Sequence, residues 1–217
     1  MSAEFFCVSC RTPFLNAFPL DSEGRCALCR NGLRGFDAAY CFGSYEGTLR
    51  QLIHLYKYGG VRTLWQPLSE LLAAALPLDE RLDAVTPVPL HWRKQWQRGF
   101  NQSELLAREI ARRRGIRLVH ALGRTRATQA QAGLSNTGRR GNVAAAFRCR
   151  PGAQTLAGKR VLLIDDVMTT GATAAACARA LKQAGAARVV LLAVARVDRR
   201  MNAGLRQPVE IGEGEVS

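Results

Sequence analysis

Two adjacent carboxylates, Asp165 and Asp166, close the apolar run Val161–Ile164, and Val-Met-Thr169-Thr170-Gly171-Ala172-Thr173 follows them. An apolar run of that length, bounded by polar residues, reads as a buried strand. Its end delivers both acids to the edge of a sheet. The short polar residues beyond, opening into an Ala-rich helical stretch, leave backbone N–H groups facing a concavity at a helix start. That is an anion site by dipole and by free donors. The hydroxyls of Thr169, Thr170 and Thr173 add donors, and Gly171 lets a phosphate approach the backbone closely. Ionised carboxylates only accept hydrogen bonds, so they suit a diol. A sugar phosphate satisfies both halves at once. A plain strand–turn–helix with an acidic corner accounts for the acids but not for Thr-Thr-Gly-x-Thr after them. A Walker A loop is excluded, because no Gly-Lys-Ser/Thr is present here.

A second constellation stands at the other end of the chain. Cys7-x2-Cys10 and Cys26-x2-Cys29 are separated by 15 residues. Each pair is a tight knuckle aiming two thiolates at one ion, and the spacer lets the knuckles complete a four-sulfur site. Soft thiolates select zinc, or iron in a rubredoxin-like site. Residues 1–36 are too short to fold on a core of their own, so a structural metal, Zn2+ first, would supply their stability. Cys41, Cys149 and Cys177 lack partner spacing and read as small packing residues.

Cations form the third signal. The chain carries a net charge of +14, and residues 91–150 hold 14 Lys/Arg against Glu104 and Glu109 only. Arg93, Lys94 and Arg98 follow the apolar stretch Val85–Val88 and precede a helix start at Asn101, which makes a second anion site. Arg108, Arg112, Arg113, Arg114 and Arg117 exceed what one small ligand needs. They suit a phosphate backbone, single-stranded DNA above all, or else form a solvated basic face. Trp92, Trp96 and Phe100 read as ordinary packing rather than base stacking.

The elements that must hold these groups follow from periodicity. Leu49, Leu52, Ile53 and Tyr56 mark a helix over 48–58, and Pro67–Leu76 a second one. Asn101 with Glu104 resembles a capping box for a helix ending at Gly115. Strands are expected at 38–45, 83–89, 116–120, 161–164 and 189–195, with a helix over Ala172–Ala184. Strands alternating with helices give an α/β fold with a doubly wound, mostly parallel sheet, whose ligands sit beyond the carboxyl ends of the strands. The expected division is a cysteine module over 1–36, the α/β domain over 37–197 and a disordered tail over 198–217. No apolar run reaches the roughly 20 residues of a membrane span. Met1–Phe6 lacks the pattern of a signal peptide, so a cytoplasmic protein is expected.

The run Val161–Thr173 resembles the loop of the type I phosphoribosyltransferases that binds 5-phosphoribosyl-1-pyrophosphate (PRPP). Together with the four-cysteine module, the stretch Pro87–Gln102, Gln131–Ser135 and Arg139–Asn142, it is similar to the ComF family of competence proteins, GntX-like members included. The resemblance implies an N-terminal zinc ribbon. It implies that Asp165 and Asp166, the catalytic pair, hold the ribose hydroxyls. Thr169, Thr170, Gly171, Ala172 and Thr173 would hold the 5′-phosphate, and Arg93, Lys94 and Arg98 the pyrophosphate. It also implies Mg2+ on the ligand and a mobile hood over Arg124–Asn142. His91 is the nearest candidate for a general base, whereas His54 and His120 read as structural. The implied roles are DNA uptake alongside other DNA-uptake proteins and, as an enzyme, transfer of phosphoribose to a base or amine. A single-stranded-DNA-binding factor and a PRPP sensor without catalysis are the rival readings.

Overall fold

The computed structural model describes residues 5–8, 13–14, 20–30, 35–90, 96, 98–124 and 146–197. In chain order its elements are β1 (Phe5–Phe6), β2 (Pro13–Phe14), α1 (Ala27–Arg30), β3 (Ala38–Ser44), α2 (Gly47–Tyr58), α3 (Trp65–Ala75) and β4 (Ala84–Pro87). Then come α4 (Gln102–Arg114), β5 (Arg117–Leu118), β6 (Leu122–Arg124), β7 (Phe147–Cys149), β8 (Arg160–Met168), α5 (Ala172–Gln183) and β9 (Arg188–Arg196).

Runs such as Val161–Ile164 and Val189–Ala195 are apolar on both faces, which only a sheet covered on both sides can use. They lie in a five-stranded sheet of order β3-β9-β8-β4-β5, with every pair parallel. One face packs Val161, Leu163, Val189 and Leu191 against Ala174, Ala178 and Leu181 of α5. The other packs Leu162, Ile164, Val190 and Leu192 against α2, α3 and α4 through Ile53, Leu68, Leu72, Leu106 and Ile110. The expected doubly wound sheet is therefore present.

The helix boundaries follow local chemistry. Asn101 caps α4 by accepting from the Ser103 N–H at 3.2 Å, and Gly115 ends it in the left-handed region at φ 62. Glu104 does not return to the cap as a capping box requires; it meets Arg108 at 3.4 Å and His120 at 3.1 Å. The strand expected over 116–120 shrinks to Arg117–Leu118, while β8 runs past Ile164 through the acidic pair to Met168. The antiparallel ribbon of β6 with β7, pairing Leu122 with Cys149, is an addition to the expected elements.

Where the parallel strands begin, charges stitch the sheet's amino edge. Asp37, just before β3, accepts from the Val189 N–H at 2.6 Å and the Lys182 ammonium at 2.8 Å. Asp83, just before β4, accepts from the Arg160 N–H at 2.7 Å and its guanidinium at 3.1 Å. Glu80 receives Arg188 at 3.1 Å and the Tyr40 hydroxyl at 2.9 Å.

The segment before β3 is joined to the main core. Buried Cys7, Cys26, Cys29 and Phe36 belong to the same apolar cluster as the α5 face. Gly35 makes that contact possible: its φ is +101, and a Cβ there would sit 2.7 Å from the Ala175 carbonyl oxygen in α5. Among the described residues no helix is long and apolar enough to cross a membrane.

Candidate functional site

The acidic pair lies at the carboxyl half of β8, between β9 and β4. Side chains alternate faces along the strand up to Ile164, Val161 and Leu163 to one cluster, Leu162 and Ile164 to the other. Past the acids the phase is shifted by one: Val167 packs with Leu162 and Ile164, and Met168 with Val161 and Leu163. The register with β9 keeps the same offset across the acids, with Asp165 opposite Ala193 and Val167 opposite Ala195.

Asp166 is buried and meets the Lys57 ammonium of α2 at 2.9 Å. Asp165 accepts from the Asp166 N–H at 2.9 Å and from the Ser103 hydroxyl of α4 at 3.3 Å. Burial, and after it the Asp166 charge, push the Asp165 carboxyl well above the usual carboxylate range, against the opposing pull of Lys57. Two carboxylates so close resist double ionisation. Tyr56, fully buried beside them, has its hydroxyl pushed up by burial and then by Asp166. It stays a donor, to the Gln102 carbonyl at 3.0 Å.

Thr169 and Thr170 are exposed on the turn after β8. Gly171 takes φ 71, which a side chain rarely adopts, and so turns the chain directly into α5 at Ala172. The Ala172 N–H donates to the Thr170 hydroxyl at 3.3 Å, and Thr173 is half-buried in the first turn. The segment Asp165–Thr173 thus places carboxylates, exposed hydroxyls and a helix start in sequence at the carboxyl end of β8.

Of the expected pyrophosphate cations, Arg98 is described. It donates to Gln102 at 3.1 Å and to the Tyr58 hydroxyl at 2.8 Å, and its guanidinium lies 4.6 Å from the Tyr58 ring centroid. Arg93, Lys94, His91, Trp92, Cys10, the hood beyond Arg124 and the tail 198–217 lie outside the described residues. Trp96 departs from the packing expectation: it is 90 % exposed, whereas Phe100 is buried against Tyr56 with ring centroids 5.4 Å apart. The basic helix end is already engaged. Arg112 and Arg113 bond Glu109 at 2.6 and 2.7 Å. Arg114 donates to the carbonyls of Pro77, Leu78 and Glu80 at 3.0–3.3 Å.

At the cysteine cluster, Cys7, Cys26 and Cys29 are buried with their sulfur atoms all within 4.8 Å of one another. The Cys26 N–H donates to the Cys7 Sγ at 3.3 Å. Three converging sulfurs, one of them accepting a backbone N–H, form a donor set that fits a soft tetrahedral ion.

Sequence reasoning missed Lys57, Tyr56 and Ser103. Lys57 reads locally as a cation in the last turn of a helix, where it suits the dipole, and nothing in its neighbours points to a carboxylate far along the chain.

A phosphoribosyl transferase domain model matches residues 101–206. "Competence protein F" of Haemophilus influenzae is 31 % identical over 178 residues, 79 % of this chain and 78 % of that protein. "DNA utilization protein YhgH" of Escherichia coli K12 is 33 % identical over 178 residues, 79 % of this chain and 77 % of that protein. Among solved structures, the glutamine PRPP amidotransferase of B. subtilis bears a slight likeness, with a TM-score of 0.41 at 24 % identity over 58 % of this chain and 25 % of that one. With a phosphoribosyl transferase domain on a parallel α/β sheet and relatives matched along most of their length, this chain belongs to the ComF family of competence proteins.

Proposed function

We propose that the chain binds PRPP across Asp165–Thr173, with the ribose hydroxyls on Asp165 and Asp166 and the 5′-phosphate at the turn into α5. The observation that carries this reading is the placement of two carboxylates at the end of β8, one short turn ahead of a left-handed Gly171 and a helix start. Lys57 fixes the Asp166 side chain from α2, and Ser103 orients Asp165 from α4. Arg93, Lys94 and Arg98 are the cations for the pyrophosphate. Magnesium on the ligand would supply charge neutralisation at the leaving pyrophosphate. The chain's own share of a phosphoribosyl transfer would be positioning and electrostatic stabilisation. Cys7, Cys10, Cys26 and Cys29 would hold a structural zinc that fixes the N-terminal segment. The names of the relatives support a role in competence and DNA utilisation, which the chain would play in the cytoplasm.

Each charge-assisted hydrogen bond lost is worth roughly 1.5–3 kcal/mol. Asp165→Asn with Asp166→Asn is therefore expected to weaken PRPP binding by about ten-fold or more. Titration calorimetry with PRPP and Mg2+ checks this, and equal affinity in wild type and double variant would remove the loop from the mechanism.

A second reading, binding of single-stranded DNA, is favoured by one surface feature. Tyr58 is 63 % exposed and carries the Arg98 guanidinium on one side and the His54 ring, 4.9 Å away, beside it. Trp96 is more exposed still. Exposed rings among cations are what sequence-tolerant stacking uses, at roughly 1–3 kcal/mol per base. Tyr58→Ala with Trp96→Ala is expected to weaken a labelled oligonucleotide by about ten-fold or more in fluorescence anisotropy. The wild type should show salt-sensitive association, and none at low ionic strength sinks this reading.

A further inference from the structure

A cleft of about 420 Å3 opens at the carboxyl end of β4 and the first turn of α4, the turn that also touches the acidic pair. That turn divides the two places. Ser103 reaches Asp165 on one side, while Asn101, Glu104 and Leu105 line the cleft on the other. Phe100 forms part of the wall, packed on Tyr56, which in turn feels the charge of Asp166.

Its chemistry is defined by charge. Arg62, Arg108 and Arg150 all face it, against the single carboxylate of Glu104. Glu104 is already met by Arg108 at 3.4 Å and by His120 at 3.1 Å. Arg62 and Arg150 have no carboxylate partner among the described residues, so the cleft carries two uncompensated guanidiniums. The Arg62 guanidinium sits over the Phe100 ring, 4.9 Å from its centroid, and a guanidinium is a planar cation on which a second ring can stack. Leu90, Leu105 and Leu122 supply apolar walls. The Glu104 oxygens, held by their partners, remain acceptors for a ring N–H. Volume and lining match a site for one small ring system.

We infer that this cleft binds a planar, anionic heterocycle of single-base size: its negative group on Arg62 and Arg150, its ring over the Arg62 guanidinium, and a ring N–H on Glu104. Binding there needs neither Asp165 nor Asp166, so the inference stands or falls separately from the PRPP reading.

The test pairs rings with and without charge. Orotate and uracil, and nicotinate and nicotinamide, are titrated into the full chain by calorimetry. At least one acid is expected to bind saturably and at least about ten-fold more tightly than its neutral counterpart, as one charge-assisted bond allows. Arg62→Gln and Arg150→Gln, both on exposed side chains, should each cost about ten-fold, and thermal unfolding should confirm that both variants are folded. The Asp165→Asn, Asp166→Asn double variant should keep the acid's affinity unchanged. Acids that bind no better than their neutral partners would overturn the inference. So would affinity that follows the acidic pair and ignores both arginines, which would place the ligand in the PRPP site.

Discussion

Asp165 stores a conflict that pH can reveal. Burial, followed by the Asp166 charge, raises its carboxyl above the ordinary value of 3.8, although Lys57, the Asp166 N–H and Ser103 oppose the shift. A group raised on folding adds stability below its unfolded value and loses that contribution as the pH climbs through the folded one. The folded chain is thus penalised for ionising Asp165 as the solution approaches neutrality. Asp165→Asn removes the penalty and is expected to raise the melting temperature at about pH 7.5 while leaving it nearly unchanged at about pH 4. Circular dichroism melts at the two pH values check the sign, and equal shifts at both would show that the charge is not the cause. Stability gained at the expense of ligand binding is the usual signature of a strained functional residue.

At the level of elements, the N-terminal segment leans on α5 through Gly35. Alanine there must adopt φ +101 and place its Cβ 2.7 Å from the Ala175 carbonyl oxygen. Backbone strain of this kind costs about 1–3 kcal/mol, and the contact adds to it. Gly35→Ala should lower the urea midpoint with little change in slope; an unchanged midpoint would mean that the segment is not held tightly on the helix. The elements legible in the sequence were those with a strong local signal. The spacing of Leu49, Leu52, Ile53 and Tyr56 marked α2, and Asn101 and Gly115 marked the ends of α4. The β6–β7 ribbon was not legible, because its pairing of Leu122 with Cys149 spans a long stretch of chain and each strand is three residues long. The acid loop was readable as a motif, since its residues are consecutive. Its counter-charge Lys57 and its orienting Ser103 come from α2 and α4 and meet it only in three dimensions. Trp96 misled because an aromatic residue near a strand end resembles core, and here it points into solvent.

For the whole molecule, stability in acid rests on carboxylates far from the candidate site. Asp83 is held down to about 2 by the side-chain bond from Arg160 and then by the Arg160 N–H. Glu109 is held at about 2 by the bond from Arg112, which with Arg113 outweighs burial. Groups lowered on folding give stability that is present above their unfolded values and lost as the pH falls through the folded ones. The chain should therefore lose stability from about pH 4 down to about pH 2, opposite in sign to the Asp165 effect. Asp83→Asn should flatten that loss in urea titrations at several pH values. Added salt should weaken the effect, since Arg160 is partly exposed. A slope in the variant equal to that of the wild type would remove Asp83 from the acid response.

The ion pairs along the amino edge also make the sheet a fan riveted at its handle. Asp37, Glu80 and Asp83 fasten the starts of β3, β9, β8 and β4, while the carboxyl ends face the candidate site. Asp165 stands five residues beyond Arg160 on β8, a lever arm of about 17 Å at strand rise. A tilt of roughly 3–4° at the rivet swings the carboxylate by about 1 Å, a misplacement that can cost about a hundred-fold in positioned chemistry. Glu80 and Asp83, which bind Arg188 and Arg160 at the strand starts, are in that sense the adjusting screws of a site at the opposite end of the strands.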